Sequence, residues 1–170
     1  MRTITVALGE KTYNIEIAAG LLDQIGAKAR VLSQAVKAAI ISDSNVDPLY
    51  GERLERSLAA SGFEVTRIVF AAGEQSKNLT VLGQVYDELA RAGLTRSDLI
   101  LTLGGGVPGD LGGFAAATFL RGIDFIQVPT SLLAQIDSSV GGKVAIDLPS
   151  GKNLAGSFYQ PKAVFIDPDL

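Results

Sequence analysis

The stretch DLILTLGGGVPGDLGGFAAATF, Asp98–Phe119, decides the fold of this chain. Its first residues are apolar or β-favouring and lead directly into three glycines, which predicts a buried strand that ends in a glycine loop. The alanine- and glycine-rich part that follows predicts a helix beginning at about Asp110. A strand, a tight turn and a helix in this order predict a βαβ unit. Gly104, Gly106 and Gly109 also have the spacing of the dinucleotide fingerprint GxGxxG.

The function of this glycine loop stays open at the level of the motif alone. Glycine amides at a helix start can hold phosphate, but a tight turn without any ligand fits the same residues. Two features disagree with the standard Rossmann version. The loop follows about the fourth or fifth predicted strand, and the next strand ends in Val128-Pro129-Thr130 without an acidic residue. No Gly-Lys-Ser/Thr follows the loop, which excludes a Walker A motif. We therefore predict a phosphate-binding loop in a different fold context.

Strands and helices alternate on both sides of this stretch. A β-hairpin is predicted for Thr3–Leu8 with Thr12–Ile17. The other predicted strands are KAAIIS, FEVTRIVF, DLILTL, DFIQVP and AVFID, and VAIDLPSGKNLAG is predicted to be a short hairpin or loop. The predicted helices are LLDQIGAKARVL, PLYGERLERSLAASG, NLTVLGQVYDELARAG and DLGGFAAATFLRG. This order predicts an α/β fold, a Rossmann-like parallel sheet with helices on both faces and an N-terminal β-hairpin.

The spacing of leucines predicts which side of two helices is buried. Leu49, Leu54 and Leu58 are expected to share the apolar side of one helix. In NLTVLGQVYDELARAG the expected apolar stripe is Leu79, Leu82, Val85, Tyr86 and Leu89.

Composition limits the possible functions. The 170 residues fit one domain, or one lobe of a larger enzyme. A net charge of −3 gives little support to nucleic-acid binding. The absence of cysteine and histidine removes thiolate chemistry and the commonest general base and metal ligand. Without a signal-peptide or membrane-helix pattern, we expect a cytoplasmic protein with no membrane partner.

Other polar loops are expected at the same sheet edge as the glycine loop. SDSN and AAGEQSKN each follow a predicted strand, where Asp43, Glu74 and Lys77 could bind ribose hydroxyls. An Asx-turn or a capped helix start would explain these residues equally well. PTSLLAQIDSSVGGK and SGKN add hydroxyls, a carboxylate and two lysines, which suit anionic oxygens. Together the loops indicate a nucleotide and an anionic small substrate that meet in a cleft.

The segment from Gly104 to Pro161, GGGVPGDLGGFAAATFLRGIDFIQVPTSLLAQIDSSVGGKVAIDLPSGKNLAGSFYQP, resembles the 3-dehydroquinate synthase family without a gap. GEQSK, SDSN and the opening hairpin fit the same family. The resemblance covers the whole chain but only the N-terminal half of that enzyme. It implies one NAD-binding α/β domain over residues 1–170, and it places the family's C-terminal helical metal-binding domain outside this chain. We therefore expect these residues alone to be inactive.

The resemblance also implies an activity and a set of site residues. The family converts 3-deoxy-D-arabino-heptulosonate 7-phosphate to 3-dehydroquinate in the shikimate pathway, as an NAD- and zinc- or cobalt-dependent lyase that releases phosphate. The implied cofactor-binding residues are Asp43, Ser44, Asn45, Glu74, Gln75, Ser76, Lys77, Gly105, Gly106, Val107, Gly109, Asp110, Thr130, Ser131, Lys143 and Lys152. The implied catalytic, substrate-binding residues are Asp137, Lys143, Asn153 and Arg121. Arg121 would act from a neighbouring subunit, which implies a homodimer.

Three alternatives remain at this level. A polyol or alcohol dehydrogenase of the related superfamily would share the lobe and the glycine loop. Another sugar-phosphate cyclase, such as 2-deoxy-scyllo-inosose synthase, would share most of the site. A stand-alone nucleotide-binding module would be a protein without enzymatic activity.

Overall fold

The computed structural model describes residues 1–170, which form nine strands and four α-helices. The strands are β1 Arg2–Val6, β2 Tyr13–Ile17, β3 Lys37–Asp43, β4 Glu64–Phe70, β5 Leu99–Gly104, β6 Asp124–Pro129, β7 Lys143–Leu148, β8 Gly151–Phe158 and β9 Ala163–Ile166. The helices are α1 Ile25–Leu32, α2 Glu52–Ala60, α3 Leu79–Arg91 and α4 Gly106–Thr118. Short 3-10 or π-helical turns precede α1, α2 and α3.

Seven strands form one sheet in the order β1-β2-β9-β6-β5-β3-β4. All neighbours pair in parallel except β1 and β2, which are antiparallel and form the predicted N-terminal hairpin. β7 and β8 form a separate antiparallel hairpin, so VAIDLPSGKNLAG is a hairpin and its second strand continues to Phe158. The predicted α/β class and the parallel sheet are confirmed.

Alternating side chains of the central strands enter two different cores. Ala38 and Ile40 of β3 pack with α1 and α2 on one face of the sheet. Ala39 and Ile41 of the same strand pack with α3, α4 and the β7–β8 hairpin on the other face. Every residue of β5 and β9 is buried, as expected for parallel strands covered on both faces. The prediction of helices on both faces is therefore confirmed.

The start of α4 differs from the prediction. The helix begins at Gly106 and not near Asp110, so only Gly105 separates it from β5. Pro108 lies in the first turn, where a missing N–H removes no helical hydrogen bond. The helix ends at Thr118, and after Phe119 the residues Leu120 and Arg121 have left-handed backbones with φ of 53° and 67°. Most of the predicted loop is thus the first turn of a helix.

Two leucines predicted to be buried lie at the surface. Leu49 is 64% exposed because it lies in the π-helical turn before α2 and not on that helix's apolar side. Leu79 is 60% exposed because α3 begins there, before its first turn packs on the sheet. Leu54, Leu58, Leu82, Val85 and Leu89 are buried as predicted, and Tyr86 is half-buried. None of the helices combines the length and the apolar character needed to cross a bilayer.

Candidate functional site

The carboxyl ends of β3, β4, β5 and β6 meet at one sheet edge, and hydrogen bonds join the loops that leave them. Ser44 N donates to Phe70 O at 2.9 Å, and the Ser44 hydroxyl accepts the amide of Ala72 at 3.0 Å. Thr130 N donates to Gly104 O at 2.9 Å. The predicted loops therefore share the edge at which open α/β sheets bind ligands.

Packing inside the chain restricts the two glycines at the start of α4 less than those further along the helix. A Cβ atom at Gly105 would be 3.3 Å from the Ser131 hydroxyl, and one at Gly106 would be 3.5 Å from the Ser138 hydroxyl. A Cβ atom at Gly113 would instead lie 2.4 Å from Val144, so packing does require that glycine. No side chain caps the first amides of α4. Backbone donors next to hydroxyls and a positive helix end are a suitable environment for an anion.

Gly109 belongs to the packing group. A Cβ atom there would be 3.0 Å from Oε1 of Gln127, a buried residue of β6. The neighbouring Gly112 would carry its Cβ 2.6 Å from Thr102. These glycines let α4 approach the sheet closely, and the structure gives Gly109 this role whatever else it contacts.

Lys77 is the centre of the polar network beside this helix. Its side chain is 5% exposed, and its Nζ donates to Asn153 Oδ1 at 2.8 Å and to Asp110 Oδ2 at 3.2 Å. Glu74 Oε1 is 3.3 Å and Asp147 Oδ1 3.8 Å from the same nitrogen. The lysine therefore connects the start of α3, the first turn of α4 and the β7–β8 hairpin.

Burial and charge oppose each other in this network. Burial alone would lower the pKa of the Lys77 amine, but Asp110 and Glu74 outweigh it and raise that pKa above its ordinary value. Burial raises the pKa of the Asp110 carboxyl, and the positive charge of Lys77 offsets this only in part. Lys77 is therefore cationic at neutral pH and compensates the acidic groups around it.

A cleft of about 550 Å³ lies on the hairpin side of the network. Its walls include Asp110, Asp137, Lys143 and Asn153, four of the residues predicted from sequence. Lys143 Nζ is 3.6 Å from Asp137 Oδ1, and both side chains are more than half exposed. Such an exposed ion pair is worth at most about 1 kcal/mol, so an anionic ligand can replace the carboxylate at little cost.

The remaining predicted cofactor residues lie along the same edge. Asp43 accepts the amides of Asn45 and Val46 through Oδ1, at 2.9 and 3.0 Å, so the Asx-turn considered from sequence is present. Gln75 and Ser76 donate from their side chains to backbone carbonyls of the same loop. Lys152 is 72% exposed, and its Nζ lies 3.2 Å from Glu74 Oε1. Val107 follows Gly106 in the first turn of α4.

Arg121 is the one predicted site residue that the fold keeps away from this edge. It follows the C-terminal end of α4, whose 13 residues separate it from Gly106. At 1.5 Å per residue the helix is about 20 Å long, more than an arginine side chain can span. The arginine is exposed.

Sequence reasoning missed Asp147 and Ser138. Ser138 lines the cleft and lies beside Gly106. Asp147 is the acceptor for the backbone N–H of Asn153, at 2.7 Å. SGKN predicted a site at Asn153, and the hairpin predicted for VAIDLPSGKNLAG was the one signal that could have placed Asp147 opposite it. No group of three or more acidic, histidine or cysteine side chains in the chain could hold a metal ion.

Sequence relatives identify the family of this chain. Residues 67–170 match the family described as 3-dehydroquinate synthase N-terminal. The chain is 57% identical over 168 residues to 3-dehydroquinate synthase of Clostridium acetobutylicum, covering 99% of this chain and 47% of that protein. The enzyme of Enterococcus faecalis is 52% identical, with 98% and 46% covered. The chain spans about half the length of the curated relatives it matches.

Solved structures give the same fold. A 2-deoxy-scyllo-inosose synthase complexed with carbaglucose-6-phosphate, NAD+ and Co2+ superposes with a TM-score of 0.91 at 30% identity, covering 99% of this chain and 46% of that one. The 2-epi-5-epi-valiolone synthase ValA of Streptomyces hygroscopicus, with NAD+ and Zn2+ bound, gives 0.83 at 30%, with 96% and 45% covered. A glycerol dehydrogenase of Schizosaccharomyces pombe shares the fold. It is 23% identical with a TM-score of 0.71, and the match covers 91% of this chain and 37% of that one. The family match and the close relatives show that the chain belongs to the 3-dehydroquinate synthase family, to its N-terminal part.

Proposed function

We propose that these residues are the NAD-binding half of an enzyme that converts 3-deoxy-D-arabino-heptulosonate 7-phosphate to 3-dehydroquinate and phosphate. The observation that carries the activity is the 57% identity to a 3-dehydroquinate synthase over 99% of this chain. The active protein then contains a second half, and residues 1–170 alone bind the cofactor without turnover.

Gly105 and Gly106 support NAD as the cofactor. A Cβ atom at Gly106 would make only an ordinary contact and one at Gly105 a moderately tight one, and the first turn of α4 has no side-chain cap. The space in front of them suits a pyrophosphate. Related cyclases at 30% identity hold NAD+. NAD held there would supply reversible hydride transfer with the ring carbon that bears a substrate hydroxyl, while the hydroxyl hydrogen leaves as a proton.

The cleft residues supply binding and orientation. Lys143 can exchange its exposed contact with Asp137 for a carboxylate or phosphate oxygen of the substrate. Asn153 keeps its NH2 group as a donor, because an ammonium only donates and its 2.8 Å contact with Lys77 must use Oδ1. Lys77 opposes the rise in the pKa of Asp110 that burial causes, and it holds Asn153 at the cleft wall.

A divalent metal is treated differently from NAD in this proposal. The two related cyclase structures contain Co2+ or Zn2+. The side chains of this chain do not form a ligand set. In the proposal the ligands of a divalent metal therefore lie outside residues 1–170, and no step is assigned to it here.

Arg121 completes the proposal for the assembly. Since its own site is about one helix length away, it would reach the substrate phosphate only in a neighbouring subunit, which makes the active protein a homodimer. We propose a cytoplasmic location for this enzyme.

A protein that carries this chain together with its C-terminal half tests the activity. We expect phosphate release from 3-deoxy-D-arabino-heptulosonate 7-phosphate without net NADH accumulation. Net NADH formation from glycerol would indicate a dehydrogenase. Ring closure of glucose 6-phosphate, the sugar that carbaglucose-6-phosphate mimics, would indicate the other cyclase. Turnover by residues 1–170 alone would contradict the division of the site between two halves.

Two variants of that protein test the site assignment. Asp110→Ala is expected to weaken NAD binding, because Lys77 loses the carboxylate that it contacts next to the first turn of α4. Lys143→Ala is expected to raise KM for the sugar phosphate by about tenfold to hundredfold, as for a lost charged hydrogen bond. Isothermal titration with NAD and steady-state kinetics separate the two effects. Unchanged values in both variants would refute the assignment.

A further inference from the structure

Asp147 stands at an irregular point of the β7–β8 hairpin. Ile146 pairs with Ala155 and Leu148 with Gly151, and the register shifts between Ile146 and Leu148. The backbone N–H of Asn153 donates to the Asp147 carboxylate at 2.7 Å. The Asp147 N–H in turn donates to the Lys77 carbonyl at 2.8 Å.

Asn153 has a backbone conformation that needs support. Its φ is 56°, in the left-handed region that non-glycine residues rarely adopt, although asparagine tolerates it better than most. The Asp147 carboxylate accepts the N–H of this strained residue. It is only 19% exposed, which limits competition from water.

These contacts close a ring. Asp147 holds the Asn153 backbone, the Asn153 side chain accepts from Lys77 at 2.8 Å, and the Lys77 carbonyl accepts from Asp147. Lys77 also reaches Asp110, which lines the cleft together with Asn153. The ring therefore joins the cofactor side of the proposed site to its substrate side.

We propose that Asp147 is a positioning residue that fixes Asn153 and Lys77 for substrate binding. This inference rests on the proposed function. In this proposal Asp147 contacts neither the substrate nor the cofactor. It acts by keeping the side-chain amide of Asn153 at the cleft wall. The acceptor oxygen of Asp147 matters more than its charge. Lys77 Nζ is 3.8 Å from Asp147 Oδ1, whereas the backbone nitrogen of Asn153 is 2.7 Å from the same oxygen.

The test compares three variants of the protein that contains both halves. Asp147→Ala removes the acceptor and is expected to lower kcat/KM for 3-deoxy-D-arabino-heptulosonate 7-phosphate by about tenfold to hundredfold, mainly through KM. Asp147→Asn keeps an oxygen acceptor and is expected to restore most of that loss. Asp87→Ala, an exposed position of α3, is the matched control and is expected to leave kcat/KM unchanged.

A double variant separates positioning from folding. Asn153→Gly keeps the left-handed backbone and removes the amide that Asp147 positions. In that background Asp147→Ala should lower kcat/KM by about twofold or less, which is the usual error of additivity between independent sites. Full additivity of the two losses in kcat/KM would overturn the inference, and so would wild-type kinetics of Asp147→Ala. Equal losses in the Ala and Asn variants with equally lowered melting temperatures would overturn it as well. An inactive parent protein would instead refute the proposed function.

Discussion

Lys77 shows how a single side chain can hold a site together. Its Nζ contacts partners 33 and 76 residues further along the chain, Asp110 and Asn153, and is almost completely buried. Removing one partner of a buried ion pair leaves the other charge unpaired. The free-energy cost of burying these charges can therefore be measured only after one partner of the pair is removed.

We predict that Lys77→Met lowers the free energy of unfolding of this chain by about 3 kcal/mol, because Asp110 is left desolvated without a cation. Urea unfolding at neutral pH measures the change. The double variant Lys77→Met/Asp110→Asn should regain part of the loss, since it leaves no unpaired charge at that position. A double variant as unstable as the sum of the two singles would contradict this explanation.

Asp98 is a second buried carboxylate, at the opposite end of β5. It accepts the amides of Lys37 and Thr95 at 2.8 and 2.7 Å and the Thr95 hydroxyl at 2.8 Å. Burial would raise the pKa of its carboxyl, but these hydrogen bonds outweigh it and lower the pKa below the ordinary 3.8. A carboxyl whose pKa is lower in the folded state stabilises the fold at pH values above its unfolded-state pKa. This stabilisation is lost as the pH falls through the folded-state pKa.

Asp98→Ala is therefore expected to lower the free energy of unfolding by about 2–3 kcal/mol at pH 7, the range for hydrogen bonds to a charged group. The difference from the wild type should shrink as the pH falls below about 4. Denaturant titrations at several pH values measure both. A difference independent of pH would mean that packing, and not the charged form, carries the effect.

At the scale of elements, α4 depends on glycines for close packing. A Cβ atom at Gly113 would lie 2.4 Å from Val144 and 3.2 Å from Phe125, whereas one at Gly83 of α3 would have no heavy atom within 4 Å. Both glycines are inside helices. The two positions thus separate helix propensity from packing.

We predict opposite effects for the same substitution at these two positions. Gly113→Ala should destabilise the chain by about 1–3 kcal/mol through overpacking against the β7–β8 hairpin. Gly83→Ala should stabilise it by about 0.5–1 kcal/mol, the helix preference of alanine. Thermal unfolding followed by circular dichroism gives the sign of each change. A stabilising Gly113→Ala would show that α4 and the hairpin are not in close contact.

The elements that sequence could predict are those determined by local pattern. The central residues of β3, β5 and β9 form nearly continuous apolar runs, which predicted strands, and they are buried on both faces of the sheet. The start of α4 was missed because glycine and proline disfavour helix interiors, and only the fold shows that Pro108 is in a first turn. The Lys77 network was missed because lysines are usually exposed, and its partners meet only through tertiary contacts.

At the scale of the whole molecule, Arg121 lies on the far end of α4 from the cleft. It has a left-handed backbone in the sequence Leu120-Arg121, and the carbonyl of Leu120 accepts from Arg96 at 2.8 Å. Arg121 is therefore an exposed residue with a strained backbone, next to a carbonyl that Arg96 holds. The proposed homodimer predicts that each site uses one subunit's Lys143 and the other's Arg121.

Mixed dimers test this arrangement in the protein that contains both halves. Arg121→Gln and Lys143→Met should each abolish most activity as homodimers. After the two variants are unfolded and refolded together, each heterodimer should contain one site with both groups intact, so activity should return to about a quarter of the wild-type value for random pairing. Arg121→Gln mixed with itself is the control. If Arg121 acted within its own subunit, every site of the heterodimer would lack one group, and mixing would restore nothing.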